Sequence, residues 1–139
     1  MIEKYKKYSP LVLRTAIAIV FLWFGFSQLK NPDSWVRMMP MYIQSIIPLS
    51  VRDLIYLNGT FEIVFATLLL LGLYTRFVSF LLSLHLLHII TILGYGAVAA
   101  RDFSLAIATF VIFLNGADEF CLDRYRKKKE HKEKASAES

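Results

Sequence analysis

Four stretches of the chain, Leu11 to Leu29, Leu54 to Leu73, Phe77 to Leu93 and Phe103 to about Ala117, are apolar almost without interruption. A helix needs roughly 20 such residues to cross a hydrocarbon core of about 30 Å, so the first two are long enough and the last two nearly so. Inside a bilayer each backbone N–H and C=O has to be satisfied within its own helix, and four such runs therefore predict an all-α, integral membrane bundle of four transmembrane helices. A hydrophobic content of 56% agrees, being more than a small soluble domain can cover with polar surface. A short basic region before Leu11 imitates a signal peptide, but the run continues to Leu29 and Gly25-Phe26-Ser27-Gln28 lacks a small-x-small cleavage pattern, so a retained anchor is expected.

Charge sits at the ends. With the N-terminus in the cytoplasm, the inner side collects twelve Lys and Arg (Lys4, Lys6, Lys7, Arg14, Arg76, Arg124, Arg126, Lys127, Lys128, Lys129, Lys132, Lys134) and the outer side four (Lys30, Arg37, Arg52, Arg101). Positively charged loops are retained in the cytoplasm, so both termini are placed there and the protein is expected to be a multi-pass component of the cell membrane. Residues 1–123 form the membrane domain. Residues 124–139 form a basic tail whose Lys, Glu, Ala and Ser cannot bury enough apolar surface to order themselves, which predicts disorder. Directly after an apolar span, such a tail suits anionic lipid headgroups and not nucleic acid.

The loop 30–52 is too apolar for a free linker. Trp35, Met38, Met39, Met41, Tyr42, Ile43, Ile46 and Ile47 place it along the outer interface, with Trp35 and Tyr42 at headgroup depth and Pro40 and Pro48 breaking it into short pieces. Ser50-Val51-Arg52-Asp53 reads as a capping box, so the second helix starts ahead of its apolar run. Gly94-Tyr95-Gly96 and Ala97 to Ala100 either extend the third helix or form a tight re-entrant turn.

Ionisable groups in hydrocarbon need a partner, a cavity or a route to the interface. Glu62 stands eight residues below the outer end of the second helix, His85 eight and His88 five below the outer end of the third. At 1.5 Å per residue, Glu62 and His85 both lie about 12 Å deep and His88 about 8 Å. Asn58 shares a face with Glu62, and Gln28 reaches the same level from the first helix. The five predict a polar pocket in the outer half of the bundle. Three readings stay open: a carboxylate–imidazole pair binding helices two and three together, a site for a small polar molecule, quinone headgroup or proton, or an incomplete metal-ligand set. No carboxylate is evident to orient the imidazoles, so no metal is assigned.

At the inner side, Arg14 with Asp118 and Glu119 predicts an ion pair between the first and last helices, unless Arg14 snorkels to headgroups. Ala18, Gly25, Gly59, Gly72, Ala106 and Ala108 permit close helix approach. The single cysteine, Cys121, excludes an internal disulfide and reads as an inert residue or an acylation site.

Leu13-Arg14, Gly25-Phe26-Ser27-Gln28-Leu29-Lys30-Asn31-Pro32, Asn58-Gly59-Thr60-Phe61-Glu62, Leu71-Gly72-Leu73-Tyr74-Thr75-Arg76 and the ending Asn115-Gly116-Ala117-Asp118-Glu119-Phe120-Cys121-Leu122-Asp123 resemble, in order and spacing, the DoxX family. Gln28 stands where many relatives carry lysine, and Cys121 where serine is usual. The resemblance implies a four-helix membrane protein, with some relatives linked to quinone-dependent sulfur oxidation or oxidative-stress complexes, and it brings no established catalytic residues. The chain is accordingly expected to be a subunit of a quinone-linked redox or stress-related membrane complex, in contact with other membrane or redox proteins. The alternative is a non-catalytic assembly, chaperone-like or scaffold subunit. A transporter is a third class, for which four helices without an inverted repeat are few.

Overall fold

Proline in the first turn opens the first long helix, because the N–H that Pro10 lacks has no intrahelical acceptor there to lose. In the computed structural model, which describes residues 2–46, 48–94 and 96–137, a 3-10 segment Ile2–Tyr8 leads into this helix, α1 (Ser9–Lys30). The helix stops at Asn31-Pro32, where the Asn31 N–H returns to Ser27 O at 2.9 Å. Two short helices, α2 (Pro32–Val36) and α3 (Met41–Ile46), carry the chain across one end of the bundle. Ser50 then caps α4 (Val51–Leu71) as its sequence predicts, its Oγ accepting the Asp53 N–H at 3.1 Å and donating to the Asp53 carboxylate at 2.6 Å. Gly72, with φ of +68°, ends α4 in a Schellman turn, Leu73 N–H reaching Leu68 O at 2.9 Å. The remaining helices are α5 (Thr75–Leu93), α6 (Ala97–Asn115) and α7 (Leu122–Ala137).

Three differences from the sequence expectation matter for the site. Ala97 to Ala100 neither extend α5 nor form a re-entrant turn; they open α6, which starts six residues before Phe103 and takes Arg101 and Asp102 into its second turn. The turn before it is held by Gly94 at φ of +73°. Loop 30–52 folds back over the bundle end: the Trp35 indole N–H donates to Ser27 Oγ at 3.2 Å and the Tyr42 hydroxyl to Ile92 O at 2.8 Å. The tail, expected to be disordered, is described as helix from Leu122, consistent with the high helix propensity of Arg, Lys, Glu and Ala. Ile47, Tyr95 and the termini Met1 and Ser139 lie, with Glu138, outside the described residues.

The four long helices form a ring, α1 packing chiefly on α4 and α5 on α6, with α1 against α6 and α4 against α5 closing it. Ile17, Phe21, Leu69, Val78, Leu82, Leu86 and Ile112 fill the centre, while Trp23, Phe26, Val64, Leu84, Ile107 and Leu114 face outward. Bulky apolar residues on the outside are what lipid requires, and α1, α4, α5 and α6 are each long and apolar enough to cross a membrane, so the protein is a multi-pass four-helix membrane bundle. Lipid is as apolar as leucine, so packing and interhelical hydrogen bonds hold the bundle together. On the α1–α4 seam, a Cβ added to Gly25 would lie 2.8 Å from Gly59 O, a distance only glycine allows. Across α5 and α6, Ser83 Oγ donates to Ala106 O at 2.9 Å.

Candidate functional site

The Gly25–Gly59 contact brings α1 and α4 together, and because the two helices run antiparallel, Gln28 on α1 and Glu62 on α4 flank it on opposite sides, their long side chains reaching toward each other across it. The Gln28 amide donates to Glu62 Oε2 at 2.8 Å; the Asn58 amide donates to Glu62 Oε1 at 3.0 Å and to Gln28 Oε1 at 2.8 Å. Gln28 and Glu62 are almost wholly buried, at 2% and 3% exposure. A carboxylate taken out of water is thus met by two amide donors rather than by a cation.

His85, from α5, packs against Phe61 with ring centroids 4.6 Å apart and the ring planes tilted by 40°. Its Nε2 lies 3.6 Å from Glu62 Oε1, just beyond hydrogen-bond range, and has no hydrogen-bond partner among the described residues. Of the readings that the sequence leaves open, one pairs Glu62 with His85; the two stand 3.6 Å apart, while the hydrogen bonds made by Glu62 go to Asn58 and, across α1 and α4, to Gln28.

These groups floor a cavity of about 220 Å³. Its walls are apolar (Leu54, Ile55, Leu86, Ile89, Ile92), and Trp35, Met38, Met39 and Ile43 of the folded-back loop roof it. His88 lines it from a more exposed position, so all five pocket residues expected from the sequence border one space. Two further polar residues border it that the sequence reading assigned to a loop. Asp102, with its side chain 5% exposed, takes the Arg101 guanidinium at 2.8 Å, and that guanidinium lies over Phe24, 4.6 Å from its ring centroid. The signal available for them was Gly96, after which no further breaker stands before Arg101. Among the described residues no three His, Cys, Asp or Glu side chains converge to hold a metal ion.

The other end of the bundle carries a second polar cluster. Arg14, 2% exposed and therefore not snorkelling, donates Nε to Asp118 Oδ2 at 2.8 Å and Nη1 to Leu69 O at 2.7 Å and to Leu70 O. It thereby adds a donor to Leu69 O, which also accepts the Gly72 N–H at 3.0 Å, and supplies one to Leu70 O in the last turn of α4. Glu119 does not join this pair: its side chain is 58% exposed and lies 4.0 Å from Arg124. One residue along, the chain has turned outward. Burial pushes the Asp118 carboxyl up, but the hydrogen bond and charge of Arg14 and the Phe120 N–H outweigh it and hold the group below its ordinary value. Asp123 accepts from the Tyr74 and Thr75 N–H groups at 2.9 and 2.8 Å, capping α5. Cys121 is packed against Gly72, where an added Cβ would meet its Sγ at 2.8 Å, and burial pushes its thiol up, so it stays protonated and enclosed.

Comparisons with curated proteins and with solved structures return no match. The DoxX family model matches residues 9–96, from the first turn of α1 to the turn before α6, and so includes Gln28, Asn58, Glu62, His85 and His88 but neither Asp102 nor the Asp118–Asp123 ending. With well over half of the sequence matched and four membrane helices in place, the chain belongs to the DoxX family.

Proposed function

We propose that this DoxX protein is a membrane subunit of a quinone-linked redox or stress-related complex, and that its cavity receives the ring of a quinone or quinol. The observation that carries the reading is a buried carboxylate and, 3.6 Å from it, an imidazole nitrogen with no hydrogen-bond partner among the described residues, on the floor of a cavity whose walls are mainly apolar. Intramembrane acids and histidines mark proton routes and ligand sites, and a group that accepts beside one that can also donate suits a hydroxyl as well as a carbonyl. At about 220 Å³ the space falls below the roughly 300–1,000 Å³ of drug-sized sites, which limits it to a single ring. When bound, a quinone would supply the redox chemistry, electrons passing to or from a partner protein. Glu62 and His85 hold the headgroup and exchange its proton, Gln28 and Asn58 orient the carboxylate, and the Trp35–Ile43 roof excludes water.

The same reading places both termini in the cytoplasm of a cell membrane and sets the basic tail against anionic headgroups. A second reading is favoured by the closed Gln28–Asn58–Glu62 network, which joins α1 to α4 without any ligand: a non-catalytic assembly or scaffold subunit whose polar residues only bind helices. Purification of the full chain in mild detergent, with quinone and co-purifying proteins quantified, separates the two. One quinone or quinol per chain supports the first; a stoichiometric protein partner without quinone supports the second.

A further inference from the structure

At the end of the bundle away from the cavity, a cleft of about 740 Å³ opens between the start of α5 and the start of α7. Arg76, Arg124, Arg126 and Lys127 line it, with Asp123 as its one lining carboxylate among the described residues. That carboxylate is already taken by the Tyr74 and Thr75 N–H groups and by the Thr75 hydroxyl at 3.1 Å. Arg124 has Glu119 at 4.0 Å, a distance too long to neutralise it firmly.

Arg76 is the informative member. Its Nε lies 2.6 Å from where a Cβ on Gly116 would stand, so the guanidinium rests on a residue without a side chain. Its side chain makes no hydrogen bond or ion pair among the described residues. An arginine set down on glycine, beside three other cations and with no acceptor of its own, leaves a planar fork of donors open to an anion. Phe77 borders the same cleft and is 62% exposed on the first turn of the spanning helix α5. Cationic rim and outward-facing aromatic together suit a molecule with an anionic head and an apolar chain, where a free anion would use only the rim.

We propose that this cleft binds the headgroup phosphate of one anionic phospholipid, held by Arg76, Arg126 and Lys127, with an acyl chain running along Phe77. The proposal rests on the reading above that this end of the bundle lies at an anionic membrane surface, and narrows it from a diffuse attraction to one site.

The test is native mass spectrometry of the full chain in detergent, titrated with phosphatidylglycerol, phosphatidylcholine or inorganic phosphate. One phosphatidylglycerol should bind per chain, in preference to phosphatidylcholine and without competition from phosphate. Arg76→Gln should weaken it about fivefold, the share expected of one cation near an anionic surface. Lys134→Gln, which removes the same charge outside the cleft, should leave it unchanged. Arg76→Lys keeps the charge and guards against a folding defect, but lacks the planar fork, and should bind between the parent and Arg76→Gln. Equal losses in Arg76→Gln and Lys134→Gln would overturn the site while leaving a diffuse tail attraction standing. Equal binding of the two lipids would overturn both, and full competition by phosphate would overturn the lipid assignment.

Discussion

Replacing Gly25 with alanine tests whether the close α1–α4 approach builds the polar floor. The added Cβ would sit 2.8 Å from Gly59 O and 2.7 Å from Ile63 Cγ1, against the 3.4 Å of ordinary contact, so the two helices must part by about 0.6 Å. Carried one turn along, the same movement stretches Gln28 Nε2 to Glu62 Oε2 from 2.8 Å to about 3.4 Å, past the roughly 3.2 Å limit of an N–H···O bond. Overpacking of this kind costs about 1–3 kcal/mol, and an interhelical membrane hydrogen bond adds about 0.6 kcal/mol. Alanine recovers up to about 1 kcal/mol of helix propensity, which leaves a net loss of about 1–3 kcal/mol. Equilibrium unfolding in mixed micelles measures it, with infrared spectroscopy of the Glu62 carboxyl as the local readout. Gly96→Ala serves as the control, since nothing lies within 4 Å of a Cβ there. Should Gly25→Ala match the control in stability, with the Glu62 band unmoved, the close approach is not what positions the floor.

Arg14→Met leaves the Asp118 carboxylate buried without its counter-charge and takes the guanidinium donor from the Leu69 and Leu70 carbonyls, and should cost about 3–5 kcal/mol in the same unfolding assay; a loss under about 1 kcal/mol would contradict the pairing. Because the folded state holds Asp118 below its ordinary value of 3.8, its contribution is fully present above that pH and lost as pH falls through the depressed value. The parent should therefore lose stability below about pH 4 more steeply than Asp118→Asn, and parallel acid limbs would refute this. Cys121, enclosed against Gly72, should react with a maleimide only after unfolding; rapid labelling of the folded protein would refute its burial. Cysteine labelling at positions 35, 75, 100 and 135 should find 35 and 100 outside and 75 and 135 inside, and access to 75 from outside would break the topology proposed from charge.

The spans of α1 and α4 were legible because nothing polar interrupts their runs for long, and the matched depths of Glu62 and His85 followed from helical rise alone. Lateral neighbours were not legible. Depth cannot tell whether α1 or α5 meets Glu62; that depends on Gly25 and Gly59 letting α1 come closest, and single glycines in a membrane helix are common for other reasons. Asp102 was missed because a charged pair ahead of an apolar run looks like a loop, whereas Arg101 and Asp102 neutralise one another on the first turns of α6. Arg14 was expected to meet Asp118 and Glu119 alike, and the chain's turn after Asn115 decides between them. The α7 sequence has the propensity for helix without an apolar face to bury, a case in which composition and local propensity point in opposite directions.

The central claim is that Glu62 meets a quinone-type headgroup in the cavity and exchanges its proton. Infrared difference spectroscopy of the full chain in lipid nanodiscs, with and without a short-chain quinol, reads the carboxyl directly. The account predicts a carboxyl difference band in the parent that disappears in Glu62→Gln while the variant keeps the parent's stability, since glutamine retains an acceptor and the shape but cannot titrate. The band should weaken in His85→Phe, which keeps a ring packed against Phe61 and removes the nitrogen that has no partner among the described residues. Absence of any band in the parent at saturating quinol, or a band that survives Glu62→Gln, would contradict the claim and leave the carboxylate as a tie between α1 and α4 alone.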